Sequence, residues 1–463
     1  MSVVTETSAR PHRDHDIARA ARTCAAWAAA DDFGGQHIVY EGPDGWTFAA
    51  AARAVIELRK GSVSTELADG ATTTVPWTDD PSAAVASALA ALPFPEWNAF
   101  GWVGFDYCAA HHDLLDRVDD DAVLAVLMVP SVHVVLDPRG FAADGRLLPE
   151  AISVVTMPAD TTEADLVARL TELADSAVDP APARPVDVTV DVDDYRGRVA
   201  DAIAEISRGD YQKVIMSREV QVPFAVDMPA TYARGRAGNN PARSFLVSLG
   251  GLAAAGFSPE LVVATTADGE VVTEPLAGTR AFGVSDDHDR AAKAELRSDA
   301  KEIAEHAMSV LACFDEVAQV SLPGTTSVNE FMAIRERGSV QHLASTVRGE
   351  LSPDAGPWRA LAVIFPSITA TGIPKTPALD AIYRLEPHAR GLYSGAVLAA
   401  SSDGALEATL ALRTIFSAEG RAWLRAGAGI VEQSTPEREF TETVEKLGSV
   451  APFVVPAGER GDR

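Results

Sequence analysis

Two short stretches of the sequence each contain a pair of glutamates three residues apart. They are Glu302 and Glu305 in KEIAEH, and Glu439 and Glu442 in EREFTETVEK. This spacing places both carboxylates of a pair on one face of a helix. If the two faces converged, four carboxylates would repel one another unless a cation lay between them. Oxygen ligands without His or Cys suit Mg²⁺, so these glutamates are candidate ligands of a magnesium site.

The same residues also fit two exposed helix faces. Lys301 lies four residues before Glu305, and Lys446 lies four residues after Glu442. Such pairs are ordinary on solvent-exposed helices, and from spacing alone this is the more common arrangement.

Two further residues could transfer protons. Lys213 lies in the apolar run YQKVIM, where burial would favour the neutral amine that can act as a base. The alternative is an edge-strand lysine that points to water. Glu260, in AAAGFSPELVV, lies among apolar and small residues, where desolvation would keep a carboxyl protonated and able to act as an acid. The alternative is an ordinary turn glutamate after Ser258–Pro259.

Several residues could hold an anion. Gly278 and Thr279 in EPLAGTRAFG offer an open backbone with N–H groups and a hydroxyl. Arg413 lies among apolar residues in ATLALRTIFS and needs an anionic partner, which is either a ligand carboxylate or a structural salt bridge. Tyr393 in RGLYSGAV adds a phenol donor, and Gly429 in RAGAGIVEQS adds another open backbone segment.

The composition excludes several classes of partner. The chain has 463 residues, 47% of them hydrophobic, with 39 Lys+Arg, 66 Asp+Glu and a net charge of −27. That charge repels phosphate backbones and anionic lipid, so we expect neither a nucleic-acid nor a membrane partner.

Three scattered cysteines form no CxxC pair, which argues against a disulfide framework and a thiolate zinc site. With no targeting or membrane-spanning segment evident, we expect a cytoplasmic protein.

The pattern of apolar residues and turn signals predicts an α+β protein. Strand-like runs alternate with single helices, which indicates antiparallel sheets with helices packed outside. We predict long helices over 289–318 and 435–448, and paired strands broken at Pro130 over 123–137. The proline-rich segment 176–187 is the best candidate for a boundary between an N-terminal third and the rest.

Nine motifs together resemble those of the chorismate-utilising enzymes. In chain order they are GDYQKVIMSR, GFSPELV, EPLAGTR, SDAKEIAEH, RERGSVQHLAST, SITATGIPK, RGLYSGAV, LALRTIF and RAGAGIVEQSTPEREFTETVEKL. They extend over residues 190–455, in the family's order and at compatible spacing. The amino-acid sequences of these motifs are most similar to those of the salicylate synthases of siderophore biosynthesis. The segment GWVGFDYCAAHH in the N-terminal third also resembles that group, but less closely.

The resemblance implies one large domain with the fold of anthranilate synthase component I, in which two largely antiparallel sheets pack together and helices lie outside. Residues 21–456 would form this domain, with a structural part over 21–188 and a catalytic part over 189–456. Residues 1–20 would be a disordered tail. The segment 176–187 would then be an internal crossing within one domain.

The resemblance also implies a role for each matching residue. Lys213 would be the base that activates water, and Glu260 the acid that protonates the departing hydroxyl. Mg²⁺ would be held directly by Glu305 and Glu442, and through water by Glu302 and Glu439. The remaining positions would bind the substrate chorismate: Gly278, Thr279, His342, Thr369, Tyr393, Arg413, Gly429 and Lys446.

Two positions indicate a branch of the family. Lys213 stands where the ammonia-using anthranilate synthases are expected to have Gln, and Ala277 stands where aminodeoxychorismate synthases carry a nucleophilic Lys. The resemblance therefore implies water as the nucleophile and a salicylate synthase that makes salicylate and pyruvate by way of isochorismate. An isochorismate synthase and a non-catalytic chorismate-binding paralogue are the alternatives. We expect a monomer without an amidotransferase subunit.

Overall fold

The computed structural model describes residues 10–43, 45–283, 285–337 and 340–458. In chain order, the strands are β1 (His37–Gly42), β2 (Gly45–Arg59), β3 (Ser62–Leu67), β4 (Thr72–Pro76), β5 (Asn98–Val103), β6 (Val123–Leu136), β7 (Ile152–Thr156), β8 (Lys213–Val222), β9 (Arg243–Leu249), β10 (Leu252–Ser258), β11 (Leu261–Thr265), β12 (Glu270–Thr273), β13 (Leu276–Ala281), β14 (Ser327–Arg337), β15 (Val340–Glu350), β16 (Gly372–Ile373), β17 (Ala396–Ser401), β18 (Leu406–Leu410), β19 (Thr414–Ala418) and β20 (Arg421–Ile430). The helices are α1 (Arg10–Ala29), α2 (Pro81–Ala90), α3 (Glu163–Asp175), α4 (Tyr195–Arg208), α5 (Met228–Ala237), α6 (Asp286–Leu296), α7 (Ala300–Val320), α8 (Gly356–Ile364), α9 (Lys375–Leu385) and α10 (Pro436–Leu447).

The long paired strands β2 and β6 join two antiparallel sheets. One sheet runs β16, β8, β20, β19, β10, β9, β1, the first half of β2, the second half of β6 and then β7. The other runs β4, β3, the second half of β2, β6, β5, β17, β18, β11, β12, β15 and β14, with β13 beside β12 on β15. The predicted α+β class with packed antiparallel sheets is therefore confirmed.

A core between the two sheets contains large side chains from both of them. Trp102 of β5 and Met128 of β6 belong to the same buried cluster as Phe245 of β9 and Phe416 of β19. Two further apolar clusters cover the outer faces of the sheets, where the helices pack. At about 25 cal/mol per Å² of buried apolar area, these three clusters supply the main driving force for the fold.

The N-terminal third is not a separable unit. Strand β1 lies between β2 and β9, and β5 pairs with β17, so early strands are inserted among later ones. The segment 176–187 crosses the surface in extended form, where Arg234 of α5 donates hydrogen bonds to the carbonyls of Pro180 and Ala181. This is the internal crossing that the family resemblance implies.

Three predicted elements differ from the structure. Residues 123–136 form one strand, because Pro130, which has no N–H to donate, lies at a register shift against Ala52 and Ala54. The helix predicted over 289–318 is divided into α6 and α7, because the Asp299 side chain caps a new helix start by accepting from the N–H groups of Lys301 and Glu302. The disordered tail predicted over 1–20 is wrong for residues 10–20, because α1 begins at Arg10 and buries Ala20. Residues 1–9 lie outside the described residues.

The helix predicted over 435–448 is confirmed as α10. Thr435 accepts a hydrogen bond from the N–H of Arg438, and Pro436 occupies the first helical position, where its missing N–H costs nothing. Helix α4 ends at Arg208, because Gly209 adopts a left-handed φ of 86° and its N–H donates to carbonyls of the last turn.

A buried ionic cluster ties β8, β20 and the end of α9 together. The carboxylate of Glu386 accepts hydrogen bonds from Arg390 and Arg425, each at 2.7 Å, and from the Ser217 N–H at 2.7 Å. The side chains of Glu386 and both arginines are only 2% exposed. Burial opposes ionisation of Glu386, but the two guanidinium groups outweigh it and lower its pKa to about 2.

We expect Glu386→Gln to destabilise the protein by about 3–5 kcal/mol, because it leaves two buried arginines without a countercharge. The depressed pKa of Glu386 also means that its contribution is present above the unfolded pKa of about 4.3 and is lost as pH falls towards 2. Denaturant unfolding at several pH values measures both effects. The matched control is Glu445→Gln, which breaks an exposed ion pair with Arg438 and should change stability by less than about 1 kcal/mol. Equal effects of the two variants would contradict this assignment.

Candidate active site

A cavity of about 120 Å³ opens between the ends of several strands and the helix α10. Six of the predicted site residues line it: Glu260, His342, Thr369, Tyr393, Arg413 and Lys446. They come from six separate parts of the chain, spread over nearly 190 positions of sequence. Only the tertiary structure brings them to one place.

Glu260 lies just after β10 and is buried, with 4% of its surface exposed. Its Oε1 accepts hydrogen bonds from the hydroxyls of Ser367 at 2.7 Å and Thr369 at 2.5 Å. Burial raises the pKa of Glu260 to about 7, although both hydroxyls and the nearby charge of Lys213 partly offset the effect. The residue is therefore a buried carboxyl that can hold a proton near neutral pH, which excludes the solvent-exposed turn glutamate.

Lys213 begins β8, which has β20 on one side and β16 on the other. It is 5% exposed, so the edge-strand interpretation is wrong. Its Nζ lies 2.5 Å from Oε1 of Glu305 on α7. Gly429 of β20 makes this position possible, because a Cβ there would lie 3.1 Å from Cε of Lys213.

The predicted metal ligands lie on the first turns of α7 and α10, and three of them are paired with cations. Glu302 contacts Arg280 at 3.0 Å, Glu305 contacts Lys213, and Glu442 contacts Lys446 at 2.8 Å. The interpretation as two unrelated exposed helix faces is therefore wrong, since Glu305 pairs with the buried Lys213 and Glu442 pairs with Lys446, which lines the cavity.

Charges on the two helices influence one another. Burial raises the pKa of Glu439, the negative charge of Glu442 adds to this, and Lys301 of α7 opposes it. Burial also opposes ionisation of Glu442, but Lys446 and, more weakly, Lys213 lower its pKa below the usual value. Carboxylates from α7 and α10 thus approach one region, each with a nearby cation.

No group of three or more His, Cys, Asp or Glu side chains in the described part of the chain is arranged to hold a metal ion. The donor set nevertheless fits Mg²⁺ in chemistry, because it consists of carboxylates alone. Burial, and after it the charge of Glu442, raises the pKa of Glu439, and a bound cation would relieve both effects. Binding a divalent cation here would require Lys213, Arg280 and Lys446 to release their carboxylates.

Arg413 has no anionic partner among the described residues. It lies between β18 and β19, and it adopts a left-handed φ of 50°. Within the described residues its guanidinium makes neither an ion pair nor a hydrogen bond, so the structural salt bridge is not found. Burial lowers the pKa of Arg413 to about 10. The guanidinium of Arg413 is half-buried, lines the cavity and has no countercharge within the described residues. It is therefore a candidate site for an anionic ligand.

Tyr393 lines the same cavity as Arg413 and is 3% exposed. Its ring lies 5.6 Å from the guanidinium carbon of Arg390 and 5.5 Å from that of Arg425, the two arginines bound to Glu386. The phenol oxygen would be 3.0 Å from a Cβ placed on Gly427. The ionic cluster thus forms the base on which Tyr393 is held.

The remaining predicted residues lie around the same region. Gly278 forms a bulge of β13 with a φ of 69°, and its carbonyl lies 3.2 Å from Nδ1 of His342. Thr279 pairs with His342 through the backbone, but its side chain lies outside the described residues. Lys446 donates to the carbonyl of Gly427 at 2.8 Å, and it is Gly427, not Gly429, that lines the cavity.

Sequence reasoning missed four residues of the site: Ser217, Ser367, Ser394 and Arg425. Arg425 carried the same signal as Arg413, a charge within the apolar strand AWLRAGAGI. The serines carried no signal, because hydroxyl residues are common. The contacts of Ser367 with Glu260 and of Ser217 with Glu386 are long-range, and the Ser394 hydroxyl has no partner within the described residues.

The comparisons with known proteins agree with this geometry. A family model described as chorismate binding enzyme matches residues 35–452. The salicylate synthase of Mycolicibacterium paratuberculosis is 45% identical over 422 residues, which cover 91% of this chain and 90% of that protein. In fold, the chain is similar to anthranilate synthase component I from Streptococcus pneumoniae, with a TM-score of 0.70, 23% identity and coverage of 91% and 93%. It is also similar to the menaquinone-specific isochorismate synthase from Escherichia coli, with a TM-score of 0.66, 20% identity and coverage of 93% and 90%.

A model that spans nine-tenths of the chain and a relative 45% identical over nearly its whole length leave one conclusion. This chain belongs to the family of chorismate binding enzymes.

Proposed function

We propose that this protein is a salicylate synthase, which converts chorismate to salicylate and pyruvate through isochorismate in a reaction that requires Mg²⁺. The observation that carries the proposal is a buried acid, Glu260, that lines the same cavity as the guanidinium of Arg413, for which the described residues supply no countercharge. The buried amine of Lys213 lies near enough for its charge to lower the pKa of Glu260. The similarity to a salicylate synthase over 91% of the chain supports the choice of reaction.

In the first step, Lys213 accepts a proton from the water that attacks C2 of chorismate. Glu260 donates its proton to the C4 hydroxyl, which leaves as water, so the product is an isomer of the substrate. In the free protein Lys213 is a cation paired with Glu305. It must separate from that carboxylate and release its own proton to solvent before the neutral amine can take the proton of the attacking water. When bound, Mg²⁺ would supply positive charge for the ring carboxylate, held by Glu305 and Glu442 with Glu302 and Glu439 around them.

In the second step, the hydrogen on C2 transfers to the methylene of the enolpyruvyl group as the C3–O bond breaks, which leaves salicylate and pyruvate. This pericyclic step needs no acid or base, only a pocket that holds the side chain over the ring. Arg413 and Tyr393 would hold its carboxylate at one end, and His342, Thr369 and the backbone of Gly278 and Thr279 would bound the ring.

We further propose a cytoplasmic monomer whose product serves siderophore assembly, as the resemblance implies. The three cysteines are free and buried, which supports a reducing compartment. Across the described ranges, no helix has the length and apolar character needed to cross a bilayer.

We expect purified protein to convert chorismate to equal amounts of salicylate and pyruvate when Mg²⁺ is present. Salicylate fluorescence and a coupled pyruvate assay measure the two products. Lys213→Ala should remain folded and consume no chorismate, because the water then has no base. Accumulation of isochorismate without salicylate would show an isochorismate synthase instead, and no consumption at any Mg²⁺ concentration would show a non-catalytic paralogue.

The pH profile tests Glu260 as the acid. Because this carboxyl must be protonated and its pKa is about 7, we expect kcat/KM to fall as pH rises through about 7. Thr369→Val removes a hydrogen bond that stabilises the ionised form of Glu260. The pH at which kcat/KM falls should therefore rise by about one unit. Thr171→Val, which alters a threonine of α3 far from the cavity, should leave the profile unchanged. A limb that stays in place in Thr369→Val would contradict this assignment.

The four glutamates of α10 provide a matched test of the metal site. We expect Glu439→Gln and Glu442→Gln to weaken Mg²⁺ binding at least about tenfold, since each removes a ligand or its support. Glu437→Gln and Glu445→Gln lie on the same helix with exposed side chains and should not affect binding. Calorimetric titration with Mg²⁺ measures affinity independently of turnover. Equal affinities in all four variants would place the metal elsewhere.

A further inference from the structure

Ser394 has a buried hydroxyl without a hydrogen-bond partner. The residue is 0% exposed and lines the cavity, and its Oγ has no partner within the described residues. Buried hydroxyls in proteins nearly always have a partner, so an unpaired one at a cavity indicates a missing ligand group. Its φ of 58° is also unusual for a residue with a side chain.

The backbone holds Ser394 close to Arg413. The Ser394 N–H donates to the carbonyl of Ala411 at 3.1 Å, and the Ala411 N–H donates to the carbonyl of Gly395 at 2.8 Å. Arg413 follows two residues later, also with a left-handed φ, and lines the same cavity. Two strained residues, each with unused donors, therefore flank one space.

The chemistry of these donors specifies the ligand group. A guanidinium and a hydroxyl that both lack acceptors are matched by an anionic group with at least two oxygen atoms, and a carboxylate is such a group. We propose that Ser394 Oγ donates a hydrogen bond to the enolpyruvyl carboxylate of chorismate, which Arg413 binds at the same time. This inference rests on the proposed function and adds a substrate-positioning residue to it.

Ser394→Ala tests the inference, because it keeps the Cβ and removes only the Oγ. In the free protein the hydroxyl has no partner to lose, so the Tm should not fall. In the complex a hydrogen bond to a charged group is lost, so KM for chorismate should rise about tenfold, while kcat changes less than about twofold. Ser394→Gly, which also relieves the left-handed φ, should show the same rise in KM with an equal or higher Tm.

The matched control is Ser321→Ala. Ser321 is buried at the end of α7, and its hydroxyl donates to the Val317 carbonyl at 2.7 Å, away from the cavity. Loss of this bond should lower the Tm and leave KM unchanged, the opposite pattern to Ser394→Ala. A double-mutant cycle with Arg413→Lys adds a second readout, because residues that bind one carboxylate should have non-additive effects on KM.

The outcomes separate this inference from the proposed function. If the wild type converts chorismate but Ser394→Ala has an unchanged KM, the hydroxyl binds an internal water only and the inference is wrong. Fully additive effects in the cycle would overturn it as well. If the wild type consumes no chorismate, the proposed function fails and this inference fails with it.

Discussion

A charge buried in a protein needs a partner, and the site described here depends on where that rule is met and where it is not. Arg425 and Lys446 line the cavity and each has a carboxylate partner, Glu386 and Glu442. Arg413 lines the same cavity and has none within the described ranges of the chain. Because an unpaired guanidinium is costly to bury, its presence is explained best by a ligand that supplies the negative charge.

The cations with carboxylate partners hold the walls of the cavity in place, whereas Arg413 is available to bind a ligand. Glu386 holds Arg390 and Arg425 beneath the ring of Tyr393, so a purely structural ion cluster fixes the position of a substrate-facing phenol. On the other side, Lys213 and Lys446 neutralise glutamates that would otherwise repel one another. Local cations thus attract an anion to a protein whose net charge is −27, which the global field would not do.

The fold explains why such a site is built from so many parts of the chain. Each sheet is assembled from strands distant in sequence, and the β2–β6 pair passes from one sheet to the other. Cavity residues therefore come from strand ends and short connections such as the one that carries Arg413, while the strands themselves form the rigid frame. Among the described residues, the N-terminal third contributes none to the cavity, but it supplies β1 and β5, without which the sheets would be incomplete.

The sequence by itself determined the class of fold, the helix that carries Glu439 and Glu442, and the motifs that place the chain in its family. These follow from local periodicity, capping residues such as Thr435, and residue identity, all of which are read along the chain. Only the tertiary structure decided that Lys213 is buried between two strands, that Glu260 receives two hydroxyl donors, and that Arg413 has no salt bridge within the described residues. It also revealed the buried hydroxyl of Ser394. Each of these depends on contacts between residues far apart in sequence. The local sequence around a hydroxyl or a charged group does not show which distant residue it will contact.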